Sequence, residues 1–272
     1  MLSNSTKPVA LITGASSGIG KDIARRLLSE GYEVHAGARR VERMTDLAEA
    51  GATVFALDVT EDASMEAAVA RLIAAGGRID VLVNAAGYGQ YGALEDVPMA
   101  EGRRQLETNL IGAARLIQLC LPTMRAQRSG RILNISSIGG KLAMPLGGWY
   151  HASKFALEGY SDSLRNEVRQ FGIDVVVIEP GGIESEWGDI AATEAKRVSG
   201  HGAYADMVAK FAKSQTLKTP PPSVVSDIVV RALKAKRPAT RYSGGLAARP
   251  LLFLRKILSD RMLDRLTMLA LR

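Results

Sequence analysis

The feature that most constrains the fold of this chain is a series of short runs that are apolar nearly throughout and alternate with helical patterns. The runs are Val9–Thr13, Glu33–Ala38, Thr53–Leu57, Val81–Asn84, Arg131–Ser136 and Asp174–Glu179. Strands that are apolar on both sides belong to a sheet that is covered on both faces, and such sheets are typically parallel. Because parallel strands are joined by right-handed crossovers, the pattern predicts an α/β fold with a doubly wound parallel sheet flanked by helices.

Two breaks in the sequence help to place the helices. Gly31 follows the first helical pattern and is expected to end it, since glycine readily adopts the left-handed conformation that closes a helix. The stretch TPPPS, Thr219–Ser223, is expected to start another helix, because proline fits the first turn. The 272 residues are 47% hydrophobic, which suffices for one core. We predict a single domain over 1–272, with a core at 7–245 and a helical extension at 246–272.

The positive charge of the chain is a property of its carboxyl-terminal part. The formal net charge is +7, and residues 231–272 hold 11 Lys/Arg against 2 Asp/Glu. The first 230 residues hold 24 basic and 26 acidic groups, so this larger part is slightly acidic. The sequence therefore gives no reason to expect a nucleic acid as partner.

Other function classes are disfavoured by composition. A single cysteine, Cys120, excludes an internal disulfide, and its apolar surroundings predict a buried thiol. The start MLSNSTKPVA lacks the pattern of a secretory signal, and no apolar stretch is long enough to span a bilayer. We expect a cytoplasmic protein. His35 and His201 have no partners at metal-ligand spacing, so no metal site is expected.

A glycine-rich turn, TGASSGIG, lies between the first predicted strand and the first predicted helix. Its glycines are Gly14, Gly18 and Gly20. Glycine permits a positive φ and lets a phosphate approach the backbone closely. The amino terminus of the following helix offers free N–H groups and a positive dipole to a pyrophosphate. In this strand–helix context the turn predicts a dinucleotide site rather than a simple chain reversal.

A phenol and an ammonium stand one helical turn apart in GWYHASKFAL, as Tyr150 and Lys154. Residues four apart on a helix are neighbours, although such a pair also occurs by chance. A nearby positive charge favours the phenolate and lowers the pKa of a tyrosine. The pair is therefore a candidate device for proton transfer. His151 points about 100° away from Tyr150 around the helix, and we do not expect it to share this role.

The motifs taken together resemble the short-chain dehydrogenase/reductase family, over roughly residues 7–185. The turn has the TGxxxGxG form, and YHASK supplies the Tyr-x-x-x-Lys pair. VNAAG matches the NNAG of the family, with Ala85 in place of the second Asn, and PGGIES matches Pro-Gly-x-x-x-Thr, with Ser185 keeping the hydroxyl. The resemblance implies a Rossmann-like fold and transfer of hydride between a nicotinamide and a carbonyl or alcohol.

The resemblance assigns roles to four catalytic residues. Tyr150 is the general acid and base, and Ser137, 13 residues earlier, holds the substrate oxygen. Lys154 binds the nicotinamide ribose, and Asn109, in ETNLIGA, breaks a helix and anchors a water that leads from Lys154 to solvent. The positive ring of an oxidised nicotinamide is expected to act with Lys154 in lowering the pKa of Tyr150.

The resemblance also implies the residues that bind the cofactor. Asp58 and the N–H of Val59 hold the adenine ring, and the other candidates lie in or beside the family motifs. They are Gly14, Ser16, Ser17, Gly18, Ile19, Gly20, Arg39, Asn84, Ala85, Gly87, Tyr150, Lys154, Pro180, Gly181, Ile183 and Ser185.

The end of the second predicted strand favours NADP(H) over NAD(H). Enzymes that prefer NAD place an acid there to bind the ribose 2′-hydroxyl, whereas this chain has Ala38 followed by Arg39. No carboxylate repels a 2′-phosphate, and a guanidinium can pair with it. Ser17 is a possible additional donor. The alternative is that Arg39 and Arg40 are ordinary solvated charges.

The expected substrate is a lipophilic ketone, aldehyde or secondary alcohol. The candidate contacts are Ser137, Leu142, Met144, Trp149 and Trp187. Residues 184–218 are expected to form a helical lid, and the alternative is that their apolar side chains only pack against the body. The stretch GYGQYGALED also resembles the steroid and retinoid branch of the family.

Residues 246–272 show apolar side chains at helical spacing, with Arg and Lys between them. One interpretation is a helix docked over the substrate mouth or at a subunit contact. The other is an amphipathic helix on an anionic membrane. Family resemblance implies a homo-oligomer formed through helices that flank the sheet. The functional alternative to an oxidoreductase is a catalytically silent NADP(H)-binding redox sensor, but such proteins commonly lose the tyrosine or lysine that this chain keeps.

Overall fold

The computed structural model describes residues 7–270, and the side chains up to 269. The strands are β1 (Val9–Thr13), β2 (Glu33–Ala38), β3 (Thr53–Ala56), β4 (Val81–Asn84), β5 (Gly130–Ile135), β6 (Ile173–Pro180) and β7 (Arg241–Gly244). The helices are α1 (Gly18–Ser29), α2 (Thr45–Glu49), α3 (Asp62–Gly76), α4 (Met99–Leu106), α5 (Gly112–Gln127), α6 (Gly148–Val168), α7 (Trp187–Ser199), α8 (Ala205–Ser214), α9 (Ser223–Lys234), α10 (Ala248–Ile257) and α11 (Asp260–Ala270). The start of the sequence, on which the absence of a signal was argued, lies partly outside the described residues.

The seven strands form one parallel sheet in the order β3-β2-β1-β4-β5-β6-β7. The predicted α/β fold with a doubly wound parallel sheet is confirmed. The order reverses beside β1, which has β2 on one side and β4 on the other. At such a reversal the loops that follow the strands diverge and leave a crevice at the carboxyl edge of the sheet.

Each face of the sheet is covered by helices that bury aliphatic side chains. On one face Ile23 and Leu27 of α1 pack with α9, and on the other Leu72 of α3 packs with Leu116 of α5. Burying one such side chain completely stabilises the fold by about 1.5–3 kcal/mol. Cys120 lies in the second core, where burial raises the pKa of its thiol to about 12, so the prediction of a buried thiol is confirmed.

The predicted elements agree with the structure to within a residue or so at their ends. Gly31 follows α1 with φ of +85°, and α9 begins at Ser223 directly after the prolines. The predicted lid is helical, as α7 and α8, and the predicted extension contains α10 and α11. Strand β7 was not predicted, because Arg241–Gly244 is short, half-exposed and polar.

The extension begins on the body of the protein. The N–H and carbonyl of Leu246 both pair with Gly182, at 3.0 and 3.1 Å, and Ala248 is fully buried. Arg255 Nε donates to the carbonyl oxygen of Lys141 at 3.1 Å, which fixes α10 beside the loop after β5. Among the described helices, none is long and apolar enough to cross a membrane.

Candidate active site

The sequence motifs follow the carboxyl ends of β1, β4, β5 and β6, which are neighbours in the sheet. In doubly wound sheets, ligands bind outside the carboxyl ends of the strands, where the strand order reverses. The fold thus brings the motifs to the edge where a site is expected.

The glycine-rich turn between β1 and α1 needs its glycines. Gly14 and Gly18 have φ of +68° and +52°, in the region that strains other residues. A Cβ on Gly14 would lie 2.8 Å from Cα of Ala86, and one on Gly20 would lie 2.5 Å from the carbonyl oxygen of Gly14. Ser17 precedes α1, and its side chain caps no N–H of the helix within the described chain. The turn therefore fits a phosphate at the helix amino terminus. The remaining candidates of this turn are Ser16, which is buried, and Ile19, which packs on the first core.

The turn after β4 is fastened to β1 and to α6. Thr13 Oγ1 accepts the N–H of Ala85 at 3.0 Å and that of Ala86 at 2.9 Å. Asn84 is buried, and its Nδ2 donates to Asn134 Oδ1 at 2.9 Å. Asn134 Nδ2 donates in turn to a serine of α6 at 2.9 Å. These contacts make Asn84 a link between the central strands and α6.

Asn109 occupies a π-helical segment, Glu107–Ile111, between α4 and α5. Its Oδ1 accepts the N–H of Tyr88 at 3.1 Å, and its Nδ2 donates to the Tyr88 carbonyl at 3.0 Å and to Ser153 Oγ at 3.1 Å. A Cβ on Gly87 would lie 3.1 Å from Asn109 Oδ1 and 3.8 Å from Lys154 Nζ. The predicted helix break is therefore a single π turn, a feature that is frequent at functional sites, and it brings Asn109, Gly87 and Lys154 together.

The loop after β5 carries Ser137 and is held by His151. Ser137 Oγ accepts the N–H of Gly139 at 3.0 Å and lies 3.4 Å from the carbonyl oxygen of Pro180. His151 Nε2 accepts the N–H of Met144 at 3.1 Å, and Nδ1 lies 3.0 Å from the carbonyl oxygen of Gly139. This pattern requires a neutral ring with the proton on Nδ1. Burial lowers the pKa of His151, against the opposing effect of the Gly139 carbonyl. His151 thus holds the loop after β5 against α6 through both ring nitrogens.

Tyr150 and Lys154 are both buried, and burial controls their protonation. It raises the pKa of Tyr150 to about 12, although a hydrogen bond with Ser137 opposes the rise. It lowers the pKa of Lys154 to about 8, against the charge of Glu158. Lys154 Nζ donates to the Ile135 carbonyl at 2.8 Å and lies 5.9 Å from the centre of the Tyr150 ring. Burial thus shifts the pKa of Tyr150 in the direction opposite to the lowering expected from Lys154 and an oxidised nicotinamide, and the Lys154 charge is not among the causes of the shift.

A buried ionic cluster lies one turn beyond Lys154 on α6. Glu158 Oε2 is 2.8 Å from Lys141 Nζ and 2.9 Å from Arg241 Nη2. Arg241 Nε lies 3.4 Å from Glu179 Oε1, near the end of β6. Burial raises the pKa of Glu179 to about 7, with a further contribution from the Glu158 charge. The cluster joins α6, β6, β7 and the Ser137 loop, and the sequence alone did not reveal it.

Aromatic side chains cover the Tyr150 ring. Trp187, at the start of α7, lies 5.3 Å from Tyr150 between ring centres, and Tyr91 lies 5.9 Å away. Tyr91 also stacks on Phe211 of α8 at 4.7 Å. The lid therefore packs directly on Tyr150, which is only 8% exposed. Tyr91 was absent from the predicted site, and the available signal was its place in GYGQYGALED, the stretch that resembles the steroid and retinoid branch of the family.

The other predicted substrate residues are placed differently. Leu142 and Met144 lie on the Ser137 loop, Leu142 buried and Met144 partly exposed. The Trp149 ring packs over Gly102 of α4, where any Cβ would collide with it. The structure thus brings Trp187 to Tyr150 and directs Trp149 to a helix–helix contact.

The charges near the glycine-rich turn link it to the lid. Arg40 Nη2 donates to Ser17 Oγ at 3.2 Å and to Glu186 Oε2 at 3.5 Å. Arg43 Nη1 donates to Glu186 Oε1 at 2.7 Å. Arg39 is exposed, and no hydrogen bond or ion pair holds its guanidinium to other residues of the described part. The sequence analysis assigned the cofactor contact to Arg39, and it did not predict that Arg40 bonds both the glycine-rich turn and the start of the lid.

The remaining cofactor candidates surround the same edge. The Asp58 carboxylate accepts both the N–H and the hydroxyl of Thr60, at 3.0 and 2.8 Å, and these bonds keep its pKa below the usual value although burial raises it. Val59 is buried against the start of α5. A Cβ on Gly18 would lie 3.3 Å from Cβ of Ser185, so the segment after β6 closes over the turn. Pro180 is the last residue of β6, and Gly181 and Ile183 lie in this segment.

Within residues 7–269, the side chains form no group of three His, Cys, Asp or Glu able to hold a metal ion. One surface depression of about 970 Å³ lies between α9, β7 and α10, and basic side chains line it. It contains none of the predicted site residues. The candidate site is therefore the edge built by the motifs.

Comparison with known proteins agrees with this geometry. The family model for short chain dehydrogenase matches residues 8–195, and the chain belongs to this family of oxidoreductases. A probable short-chain type dehydrogenase/reductase of Helicobacter pylori is 34% identical, over 95% of this chain and 96% of that protein. The 3-ketodihydrosphingosine reductase of Bacteroides thetaiotaomicron is 41% identical, over 66% of each chain.

Solved structures show the same fold over most of the chain. A short-chain dehydrogenase from Streptomyces avermitilis has a TM-score of 0.83 and 33% identity, covering 97% of this chain and 96% of that one. A single-residue variant of the actinorhodin polyketide ketoreductase, solved with NADPH, has a TM-score of 0.73 and 31% identity, covering 87% of this chain and 95% of that one.

Proposed function

We propose that this protein interconverts a carbonyl and an alcohol with NADP(H), acts on a lipophilic substrate, and uses Tyr150 as general acid and base. The observation that carries the proposal is that Tyr150 and Lys154 are both buried one helical turn apart on α6, with the half-buried Ser137 beside them on the loop after β5. The Ser137 side chain acts on the Tyr150 phenol and opposes the rise in its pKa that burial causes.

The residues around the glycine-rich turn fit a dinucleotide. Gly14, Gly18 and Gly20 allow the close packing of the turn that leads into α1, and the N–H groups at the amino terminus of α1 are assigned to the pyrophosphate. Asp58 and Val59 are assigned to the adenine, and Lys154 to the nicotinamide ribose. When bound, the nicotinamide donates hydride to the substrate carbon or accepts hydride from it.

The chain's own residues handle the proton. With a pKa of about 12, Tyr150 is a neutral phenol at pH 7, and Lys154, with a pKa of about 8, is mainly an ammonium. This pair is ready to donate a proton to a carbonyl oxygen, as reduction requires. Ser137 donates a hydrogen bond to the same oxygen as negative charge develops there. Asn109 fixes Tyr88 and Ser153 around the pair.

The preference for NADP(H) rests on Ala38, Arg39 and Arg40. Strand β2 ends without a carboxylate, and two guanidinium groups follow it. A 2′-phosphate is a stronger partner for these cations than a hydroxyl. The similar ketoreductase solved with NADPH supports this cofactor.

The preference for a lipophilic substrate rests on the aromatic cover of Tyr150. Trp187 and Tyr91 pack against the Tyr150 ring, and Leu142 and Met144 add apolar side chains to the loop that carries Ser137. The similar reductase whose name specifies a ketosphingoid substrate points the same way. A homo-oligomer belongs to the same proposal, since Ile111, at the end of the π-helical segment, and Phe155 of α6 expose apolar surface. A cytoplasmic location is proposed with it, in line with the unpaired thiol of Cys120.

The test is an activity assay on a panel of hydrophobic ketones, aldehydes and secondary alcohols. The change in NADPH absorbance measures turnover, and NADH in place of NADPH is the control. We expect NADPH-dependent reduction of at least one lipophilic carbonyl. NADPH binding without turnover of any compound would favour a redox sensor and contradict the proposal.

A further inference from the structure

The last two helices expose large apolar side chains that the rest of the described chain does not cover. Phe253 and Ile257 of α10 are 61% and 59% exposed, and Met262, Leu266 and Leu269 of α11 are exposed to a similar degree. Helix α11 buries none of its described side chains. Helices in proteins gain most of their stability from packing an apolar face. We therefore expect that a partner outside the described chain covers this surface.

Basic side chains border the exposed strip of α10. Successive helical residues are about 100° apart, so Phe253 and Ile257 share one side of α10, and Arg249 and Lys256 lie about 40–100° from them. The opposite side faces the protein, where Ala248 is buried and Arg255 is bonded to Lys141. Helix α10 contains no acidic residue.

Helix α11 repeats the arrangement. Met262, Leu266 and Leu269 share one side, and Arg265 lies about 40° from Leu269, with Arg261 next to it. Asp260 and Asp264 lie on the far side of the helix, and Asp260 is 3.0 Å from Arg255 in an ion pair. The cations thus border the apolar strip, and the acids are turned away from it.

We propose that α10 and α11 form a surface that lies on an anionic lipid bilayer. An apolar strip with Arg and Lys along its border is the pattern of helices that rest in the membrane interface, where the apolar side chains enter the acyl boundary and the cations meet lipid phosphates. Residues 246–272 carry six basic and two acidic groups, and Arg231 and Lys234 add basic charge on the neighbouring helix α9.

A second copy of the chain fits this surface less well than lipid. A two-fold interface would place the cationic borders of both copies next to each other, and like charges at an interface oppose association. A bilayer with anionic lipid instead provides negative charge and an apolar interior together.

The position of the surface relates it to the candidate site. Arg255 ties α10 to the loop that carries Leu142 and Met144. Contact with a bilayer would therefore hold that loop near the lipid from which an apolar substrate enters. This consequence rests on the proposed function, whereas the membrane surface itself does not.

The experiment is vesicle flotation of the full chain, with phosphatidylcholine alone and with phosphatidylcholine mixed with phosphatidylserine. We expect flotation with the anionic vesicles, little with the neutral ones, and a decrease as salt is raised. The double variant F253E/L266E is expected to abolish flotation, and R261Q/R265Q to weaken it about tenfold or more. The matched control is I73E, which changes an exposed apolar residue on α3, and it should float like the parent chain.

Thermal unfolding and NADPH binding establish that each variant is folded. Failure of the parent chain to float on either vesicle would overturn the proposal, as would undiminished flotation of F253E/L266E. If the parent chain forms a dimer in sedimentation, does not float, and becomes monomeric in F253E/L266E, the occupant is a second copy and the proposal is wrong. Because these readouts need no substrate, they are independent of the proposed reaction.

Discussion

His151 Nε2 accepts the backbone N–H of Met144 at 3.1 Å, which fastens the loop after β5 to the helix that carries Tyr150. The other ring nitrogen bonds the Gly139 carbonyl, and Gly139 in turn donates to Ser137 Oγ. A side chain adjacent to Tyr150 in sequence therefore positions Ser137 through the backbone of Gly139.

Replacing His151 should loosen the loop that carries Ser137, and it should remove one source of the pH dependence of the free energy of unfolding. We expect His151→Gln to lower the free energy of unfolding by about 1–3 kcal/mol, through the loss of buried hydrogen bonds. Because burial lowers the pKa of His151 in the folded state, the unfolded chain binds more protons, and stability falls as pH drops below about 6.5. Urea unfolding between pH 5 and 8, the range in which histidine titrates, measures both effects. His201→Gln, on an exposed histidine, is the control, and an identical pH slope in His151→Gln and the parent would contradict the assignment.

The aromatic cover should control access to Tyr150. Trp187→Ala removes the ring that lies 5.3 Å from Tyr150, and we expect KM for an apolar substrate to rise about tenfold, with NADPH affinity little changed. Steady-state kinetics and NADPH titration provide the measurement. Ile190→Ala, on an exposed residue of the same helix, is the control and should leave KM unchanged. Equal effects of the two variants would show that α7 matters only for packing.

The guanidinium groups after β2 should determine the choice of cofactor. We expect Arg39→Asp to weaken NADPH binding about 10–100-fold and to affect NADH much less, because a charge-assisted contact to phosphate is lost. Arg169→Asp, an exposed arginine beyond the far end of α6, is the control. Glu186→Gln should strengthen NADPH binding about two- to fivefold, since it frees Arg40 and Arg43 from an exposed ion pair. Fluorescence titration with both nucleotides tests these changes, and equal losses for NADPH and NADH in Arg39→Asp would refute the preference.

The buried carboxyl of Glu179 should make the protein less stable as pH rises. Its folded pKa is about 7, above the ordinary value of 4.5, because of burial and the nearby Glu158 charge. The folded state therefore binds the proton more tightly, and stability that is present below about pH 4.5 is lost as pH rises toward 7. Glu179→Gln should flatten this slope, as measured by urea unfolding across that range, and the exposed Glu167→Gln should not. Parallel curves for Glu179→Gln and the parent would contradict the prediction.

The parts of the structure that follow from local pattern were predictable from the sequence. Continuous apolar runs identify β1 to β6, because strands covered on both faces need them, and the glycines of the phosphate turn are dictated by positive φ and close approach. Strand β7 has neither signal, because Arg241–Gly244 is polar and lies at the sheet edge.

The parts that depend on distant residues were not predictable. Glu186 meets Arg40 across 146 positions of sequence, and Tyr91 reaches Tyr150 only because α7 and α8 fold over both. Burial under this cover raises the pKa of Tyr150, an effect that the Tyr-x-x-x-Lys spacing did not indicate. Trp149 and Tyr150 are adjacent in sequence but about 100° apart around the helix, which places Trp149 against α4.

The role of Tyr150 is tested by Tyr150→Phe, which removes the phenolic oxygen and keeps the ring that packs against Trp187 and Tyr91. The measurement is kcat for NADPH-dependent carbonyl reduction together with the NADPH dissociation constant of the same variant. We predict a fall in kcat of about 10²–10⁴-fold or more, because the proton donor is lost, with NADPH binding changed by less than about threefold. A kcat within about tenfold of the parent enzyme would show that Tyr150 does not transfer the proton.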